Sequence, residues 1–220
     1  MKKARVLLAE DHVLVSEGLA KLLENDFTLV GIVADGRALV QAVKEQTPDI
    51  AIIDISLPLL NGLEAARQIK KSEPQTKLIF LTMHAEENFV RDAFQAGGSG
   101  YILKKSATAE LVFAIKEVYQ GRTYVSPSIA HGIVTQALYP SSPPPDSQES
   151  NQAQLTPRQL EILQLVAEGK SNKDIALILN LAVKTVEFHK TRIMQLLGLK
   201  TTSELTKYAI THGIISIELL

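Results

Sequence analysis

Short apolar runs alternate along this chain with segments in which apolar residues return every three or four positions. Arg5 to Ala9 is the first such run, and Leu14, Val15, Leu19, Leu22 and Leu23 then follow at helical spacing. Leu29 to Ala34 predicts a second strand, and 36–46 a second helix carrying Leu39, Val40 and Val43 on one side. Ile50-Ala51-Ile52-Ile53-Asp54-Ile55 is apolar without alternation, the pattern of a strand buried on both faces. A helix is expected from Leu63 to Lys71, a strand from Lys77 to Thr82, and a helix from Glu86 to Gln95 that stops at Ala96-Gly97-Gly98. Gly100 to Leu103 makes a fifth strand, and 107–119 an amphipathic helix on Leu111, Ala114, Ile115 and Val118. Five strands alternating with five helices predict an α/β fold, a flavodoxin-like doubly wound five-stranded parallel sheet with right-handed crossovers.

The pattern breaks at Gly121. Val125-Ser126-Pro127 opens a possible short helix reaching about Leu138, and 140–152 is dominated by proline, serine and glutamine, as in a linker. An all-helical unit follows. Thr156 is placed to N-cap a helix with Pro157 in its first position and Gln159 closing a capping box, and Gly169 ends it. Further helices are expected over Asn172–Leu179, Val183–Leu197 and from a second capping box, Thr201-Thr202-Ser203-Glu204. Helix, short turn, helix inside an all-α four-helix unit is the outline of a helix-turn-helix. The expected division is 1–120, a linker over 121–153, and 154–220.

Composition narrows the class. Of 220 residues 45% are hydrophobic and 21% charged, as in an ordinary globular protein. With no cysteine, disulfides, thiolate metal sites and a cysteine nucleophile are excluded. The basic start Met1-Lys2-Lys3-Ala4-Arg5 is followed by an apolar run only from Val6 to Ala9, too short for a signal peptide, and no run is long enough for a membrane helix. A cytoplasmic protein with no membrane association is expected. Net charge is −1, but it divides unevenly: 15 basic against 16 acidic residues over 1–126, and 8 against 6 over 154–220. An excess of two is mild, so nucleic-acid binding must be argued from pattern.

Chemistry gathers at the carboxyl ends of the expected strands. Glu10 and Asp11 follow the first strand and Asp54 closes the third, where open α/β sheets place their sites. Three carboxylates in one crevice repel unless a cation sits among them, and oxygen-only ligands select a hard ion such as Mg²⁺. A carboxylate beside such an ion can act as nucleophile toward a phosphoryl group. Thr82 ends the fourth strand and offers a hydroxyl; Lys104 follows the fifth and offers a positive charge. Taken singly each has an ordinary reading: a helix cap, a strand terminus, a solvated lysine. Their coincidence at one rim carries the argument.

In the second domain, Val186, His189, Ile193, Leu196 and Leu197 share one face of the third helix. His189 on that stripe reads as a packed, hydrogen-bonded histidine, neither ligand nor acid–base group. Lys184, Glu187, Phe188, Thr191 and Gln195 lie opposite, on the face that would enter a major groove. There Lys184, Lys190 and Arg192 reach phosphates or guanine edges, Glu187 accepts from a cytosine amino group, and Phe188 meets a thymine methyl. The other histidines, His12, His84, His131 and His212, show no metal-like grouping and default to surface or helix-end roles.

These residues carry two resemblances. Glu10-Asp11, Asp54-Ile-Ser-Leu-Pro58 with Gly62, Leu81-Thr82-Met83 and Gly100-Tyr101-Ile-Leu-Lys104 resemble a receiver domain of a two-component response regulator. Residues 155–213 are similar to the LuxR-type helix-turn-helix of the NarL/FixJ class, through Leu155-Thr-Pro-Arg158, Gly169-Lys-Ser-Asn172-Lys-Asp-Ile-Ala176, Thr185-Val-Glu-Phe-His189 and Leu197-Gly-Leu. The first resemblance implies that Asp54 accepts phosphate from a histidine kinase. It also implies that Glu10, Asp11, Asp54 and the Ser56 carbonyl hold Mg²⁺, that Thr82 and Tyr101 form a switch pair, and that Lys104, favoured over Lys105, contacts the phosphate. Thr82 drawn toward the phosphate would vacate space into which Tyr101 turns inward. The second implies double-stranded DNA as partner and adds Asn172, Lys173 and Thr185 to the DNA-facing set. A homodimer formed on phosphorylation is expected, with RNA polymerase a further candidate partner.

Departures matter at three places. Gln159 replaces a usual glutamate and keeps the capping box; Ala182 replaces a serine, removing an N-cap contributing about 1 kcal/mol; Thr202 replaces an arginine, removing a phosphate contact. Modest intrinsic DNA affinity is therefore expected. Two rivals stay open: a Mg²⁺-dependent aspartyl-phosphate hydrolase, which lacks a second acid where Ser56 stands, and a degenerate receiver acting through dimerisation or protein contacts without phosphate.

Overall fold

A computed structural model describes residues 3–138 and 155–215; of the expected linker over 121–153, residues 139–153 lie outside them. The chain divides into two compact units. In the first, strands β1 (Arg5–Ala9), β2 (Thr28–Val33), β3 (Ile50–Asp54), β4 (Lys77–Thr82) and β5 (Gly100–Leu103) alternate with helices α1 (Val13–Leu23), α2 (Gly36–Gln46), α3 (Gly62–Ser72), α4 (Glu87–Gln95) and α5 (Ala107–Tyr119). A sixth strand, β6 (Tyr124–Val125), and helix α6 (Pro127–Leu138) follow. All pairings are parallel, in the order β2-β1-β3-β4-β5-β6. The expected sheet had five strands; two residues too short for a periodic signal add the sixth, pairing Gly100 with Tyr124 and Tyr101 with Val125.

Every residue of β3 is buried, as its unbroken apolar run requires. On one face Val6, Leu8, Ile50, Ile52, Ile79, Leu81 and Ile102 pack against Leu19 and Leu23 of α1 and Leu111, Ile115 and Val118 of α5. Residues of opposite parity, such as Leu7, Ile53 and Phe80, are equally buried, as are Leu39 and Val43 of α2 and Ala65, Ala66 and Ile69 of α3. Removing apolar surface on both faces is the main stabilising term. The order of β1 and β3 is what matters for chemistry. They are neighbours, with Ala9 opposite Ile53, so the residues just beyond both strand ends share one rim. At the same rim α3 starts very close to β3: a Cβ added to Gly62 would stand 2.2 Å from the Asp54 carbonyl oxygen, so only glycine fits.

The second unit holds α7 (Pro157–Ala167), α8 (Asn172–Leu179), α9 (Val183–Leu197) and α10 (Thr202–Thr211). The capping box of Thr156 and Gln159 is present with Pro157 behind it, and so is that of Thr201 and Glu204. A third, of Ser171 and Asp174, starts α8. Ala182 caps α9 with no side-chain hydrogen bond. Asn180 takes the left-handed conformation, φ 51°, and turns the chain from α8 into α9. Ile162, Leu163, Val166, Ile175, Leu179, Val186, Ile193, Leu205 and Ala209 form the core of this unit. Arg158 ties its elements together, donating to Glu161 Oε2 at 2.8 Å and to the Leu179 carbonyl, at the end of α8, at 2.7 Å. Among the described residues no helix is long and apolar enough to cross a membrane.

Candidate functional site

Glu10, Asp54 and Lys104 meet although up to 94 residues separate them. Lys104 begins a short 3-10 turn directly after β5, which aims its side chain back across the strand ends. Its Nζ lies 3.0 Å from Glu10 Oε1, 2.9 Å from Glu10 Oε2 and 2.9 Å from Asp54 Oδ2. Both acids are almost fully buried, with side chains 0% and 3% exposed. The other Asp54 oxygen, Oδ1, accepts the backbone N–H of Ser56 at 3.2 Å. Asp11 completes the acidic group. Three carboxylates thus face one ammonium, with the His12 imidazole at the edge of the group.

Each charge responds to this setting. Burial raises the Asp54 pKa above the ordinary carboxylate value, and Lys104 opposes that rise without cancelling it. For Lys104 burial works downward, but the Asp54 and Glu10 carboxylates outweigh it and hold the ammonium above its ordinary range. Burial also lowers His12, yet its hydrogen bond to Glu10 and the charge of Asp11 leave it raised.

His12 stands at the N-cap of α1, a helix end as expected, and is also grouped with the acids. It is no isolated surface histidine: its Nδ1 lies 3.0 Å from Glu10 Oε1 and 2.9 Å from Asp11 Oδ1. One donor atom from each of Glu10, Asp11, His12 and Asp54 lies within 4.8 Å of the others. The available signal was its position directly after Glu10-Asp11; what hid it was that only folding brings Asp54 alongside.

Thr82 and Tyr101 are both buried, and both are tied to His84. The Thr82 hydroxyl oxygen accepts the His84 backbone N–H at 3.1 Å, and the Tyr101 hydroxyl donates to the His84 carbonyl at 3.0 Å. Tyr101 is thus turned inward in this structure. Its burial raises its pKa well above the ordinary tyrosine value. His84 itself stacks on Phe89, ring centres 4.1 Å apart, which anchors the loop between β4 and α4. Lys105, the alternative to Lys104, is exposed and lines a cavity of about 270 Å³ with Ala85, Glu87 and residues of α6.

On α9 the two faces separate as the spacing requires. Val186 and Ile193 are buried, and His189, Leu196 and Leu197 half-buried. Lys184, Glu187, Phe188, Thr191, Arg192 and Gln195 are exposed, while Thr185 and Lys190 are half-buried. Phe188 is 67% exposed and meets the His189 ring edge-on, centres 5.7 Å apart. Asn172 and Lys173 open α8, half-buried and exposed respectively.

Known proteins divide in the same way as the two units. Residues 6–116 match the family model of the response regulator receiver domain, and residues 153–209 that of bacterial regulatory proteins of the LuxR family. The chain belongs to the response regulators that join a receiver to a LuxR-type helix-turn-helix, a family of DNA-binding transcription regulators and not of enzymes. Within it, the chain is 40% identical over 210 residues to the oxygen regulatory protein NreC of Staphylococcus epidermidis, covering 94% of this chain and 96% of that protein. It is 37% identical to a LuxR-family response regulator of known structure from Aurantimonas sp. SI85-9A1, with a TM-score of 0.60 over 62% of this chain and 99% of that one. A structure of the RcsB response regulator of Salmonella typhimurium is 26% identical, with a TM-score of 0.64 over 96% and 98% of the two chains.

Proposed function

We propose that Asp54 is the phosphoacceptor through which a cognate histidine kinase controls promoter binding by α9. The observation that carries this reading is the Asp54 carboxylate itself, buried at a strand end with Lys104 Nζ 2.9 Å from one oxygen and the Ser56 N–H on the other. In the transfer, an Asp54 oxygen attacks phosphorus, the new O–P bond forms as the P–N bond of a phosphohistidine breaks, and the departing imidazole takes up a proton. Lys104 neutralises charge on the phosphoryl oxygens, and Thr82, whose oxygen accepts the His84 N–H, supplies its O–H as a donor. Burial excludes water from the nucleophile.

The donor set fits a divalent cation. Asp11 Oδ1 is buried and takes no hydrogen bond, and three carboxylates face a single lysine. Glu10, Asp11, Asp54 and the Ser56 carbonyl would hold Mg²⁺, which supplies positive charge against the phosphoryl oxygens when bound. Thr82 and Tyr101 then act as the switch, since both hydroxyls already converge on the His84 backbone.

On the DNA side, Lys184, Lys190, Arg192, Asn172 and Lys173 contact phosphates or guanine edges. Thr185, Glu187, Phe188 and Thr191 meet bases or the adjoining backbone. The active form is a homodimer on two half-sites, working in the cytoplasm with RNA polymerase as downstream partner. Domain boundaries at 1–120, 121–153 and 154–220 complete this reading. Treatment with acetyl phosphate and Mg²⁺ should add one phosphoryl mass to the wild type and none to Asp54→Ala. A promoter footprint should then strengthen only for the phosphorylated protein.

If Asp54→Ala binds its promoter as tightly as the phosphorylated wild type, a receiver acting without phosphate replaces this reading.

A further inference from the structure

We propose that His12 is itself a metal ligand, making the pocket a mixed imidazole–carboxylate site that favours a borderline divalent ion such as Mn²⁺ over Mg²⁺. This rests on the reading of Glu10, Asp11 and Asp54 as a divalent-cation site. Three observations point to it. Neighbouring ligands on one octahedral ion, with bonds of about 2.1 Å, stand about 3 Å apart, and opposite ones about 4.2 Å. His12 Nδ1 is 3.0 Å from Glu10 Oε1 and 2.9 Å from Asp11 Oδ1, and no pair among the four donors exceeds 4.8 Å. The two His12 distances are those of neighbouring ligands, and 4.8 Å bounds the whole set.

The second observation concerns Asp11. Its Oδ1 is buried and accepts no hydrogen bond, although an imidazole nitrogen stands 2.9 Å away. That separation suits two ligands side by side on one cation, and equally an imidazolium against a carboxylate, which a bound ion would displace. A buried carboxylate oxygen left in this way is costly unless something positive fills the gap.

The third is how the backbone uses His12. It occupies the N-cap of α1 in an extended conformation, φ −82° and ψ 109°, yet its side chain makes no capping hydrogen bond. The ring goes to the pocket instead, with 40% of the side chain exposed, so an ion arriving from solvent meets imidazole and carboxylate together. Imidazole adds little to the binding of Mg²⁺ but favours later ions of the divalent series, so a nitrogen ligand shifts selectivity more than it shifts Mg²⁺ affinity.

Mn²⁺ is the probe. Added to the full chain, it should show ¹⁴N coupling from a directly bound nitrogen in pulsed electron paramagnetic resonance. Protein labelled with ¹⁵N-histidine should replace that signal with the ¹⁵N coupling, a readout that needs no variant. In His12→Gln the coupling should vanish and Mn²⁺ affinity should fall roughly tenfold, with Mg²⁺ competition changed less than about twofold. If Mn²⁺ binds, and binding is lost in Asp11→Asn, but no histidine nitrogen couples to it, His12 is only a hydrogen-bonding neighbour and the proposal fails while the pocket reading stands. If Mn²⁺ does not bind, or binds equally to Asp11→Asn, both fail together.

Discussion

The pocket at the end of β3 and the outer face of α9 solve opposite problems. In the pocket, charged groups are buried and depend on one another: Lys104 spans Glu10 and Asp54, and all three have side chains at most 14% exposed. On α9 most of the functional candidates stand in solvent, and the same helix keeps its stability on the far side with Val186 and Ile193. A buried charge cluster can be switched by adding one more charge, because its members already balance each other. An exposed face waits for a polyanion and carries little of the fold's stability. Activity and stability should therefore be coupled in the first region and separable in the second.

The strongest way to break this comparison is Lys104→Met. Removing one preorganised cation should slow Asp54 phosphorylation by acetyl phosphate by roughly 10²–10³-fold, measured by mass spectrometry over time. A rate within a few-fold of wild type would mean the pocket's charges act independently. Next comes a pair on α9. Ile193→Ala should destabilise the helical unit by about 2–5 kcal/mol in urea unfolding. Phe188→Ala should leave that unfolding midpoint in place yet weaken specific DNA binding by about 1–3 kcal/mol in a mobility-shift titration.

Asp54→Asn sharpens the coupling in the pocket. The folded pKa of Asp54 is raised, so the stability attached to this group is present at acid pH and lost as pH rises through that folded value. At neutral pH its ionised form costs stability, and the asparagine variant should melt higher, on the order of a few degrees. Adding Mg²⁺ should raise the wild-type melting point and shift Asp54→Asn less.

The smallest effect lies away from both regions. Tyr124 is half-buried beside Glu110, and burial with that carboxylate pushes its hydroxyl up to about 12. Its contribution is present below the ordinary tyrosine value of about 10 and is lost between there and about 12. Glu110→Gln should bring the phenolate absorbance titration of Tyr124 to lower pH. The same hydroxyl cluster holds Ser126, whose Oγ donates to Glu110 Oε2 at 2.5 Å and accepts the Leu103 N–H at 3.2 Å, fastening β6 beside the strand that leads to Lys104.

Local signals carried far in this chain. The unbroken apolar run ending in Asp54 identified a central strand and its open end, because burial on both faces leaves no polar alternation. Thr156, Pro157 and Gln159 announced the start of α7, because a capping box is made within four residues. The two faces of α9 followed from the 3.6-residue period. Folding in three dimensions decided the rest. It seated Lys104 between Glu10 and Asp54, since the order of β1, β3, β4 and β5 is a matter of non-local pairing. It turned Tyr101 inward onto the His84 carbonyl, joined β6 to the sheet through two residues, and brought Asp54 alongside His12 and its neighbouring acids. Each of these depends on groups far apart in the chain, and a periodicity read within one turn or one strand holds no information about them.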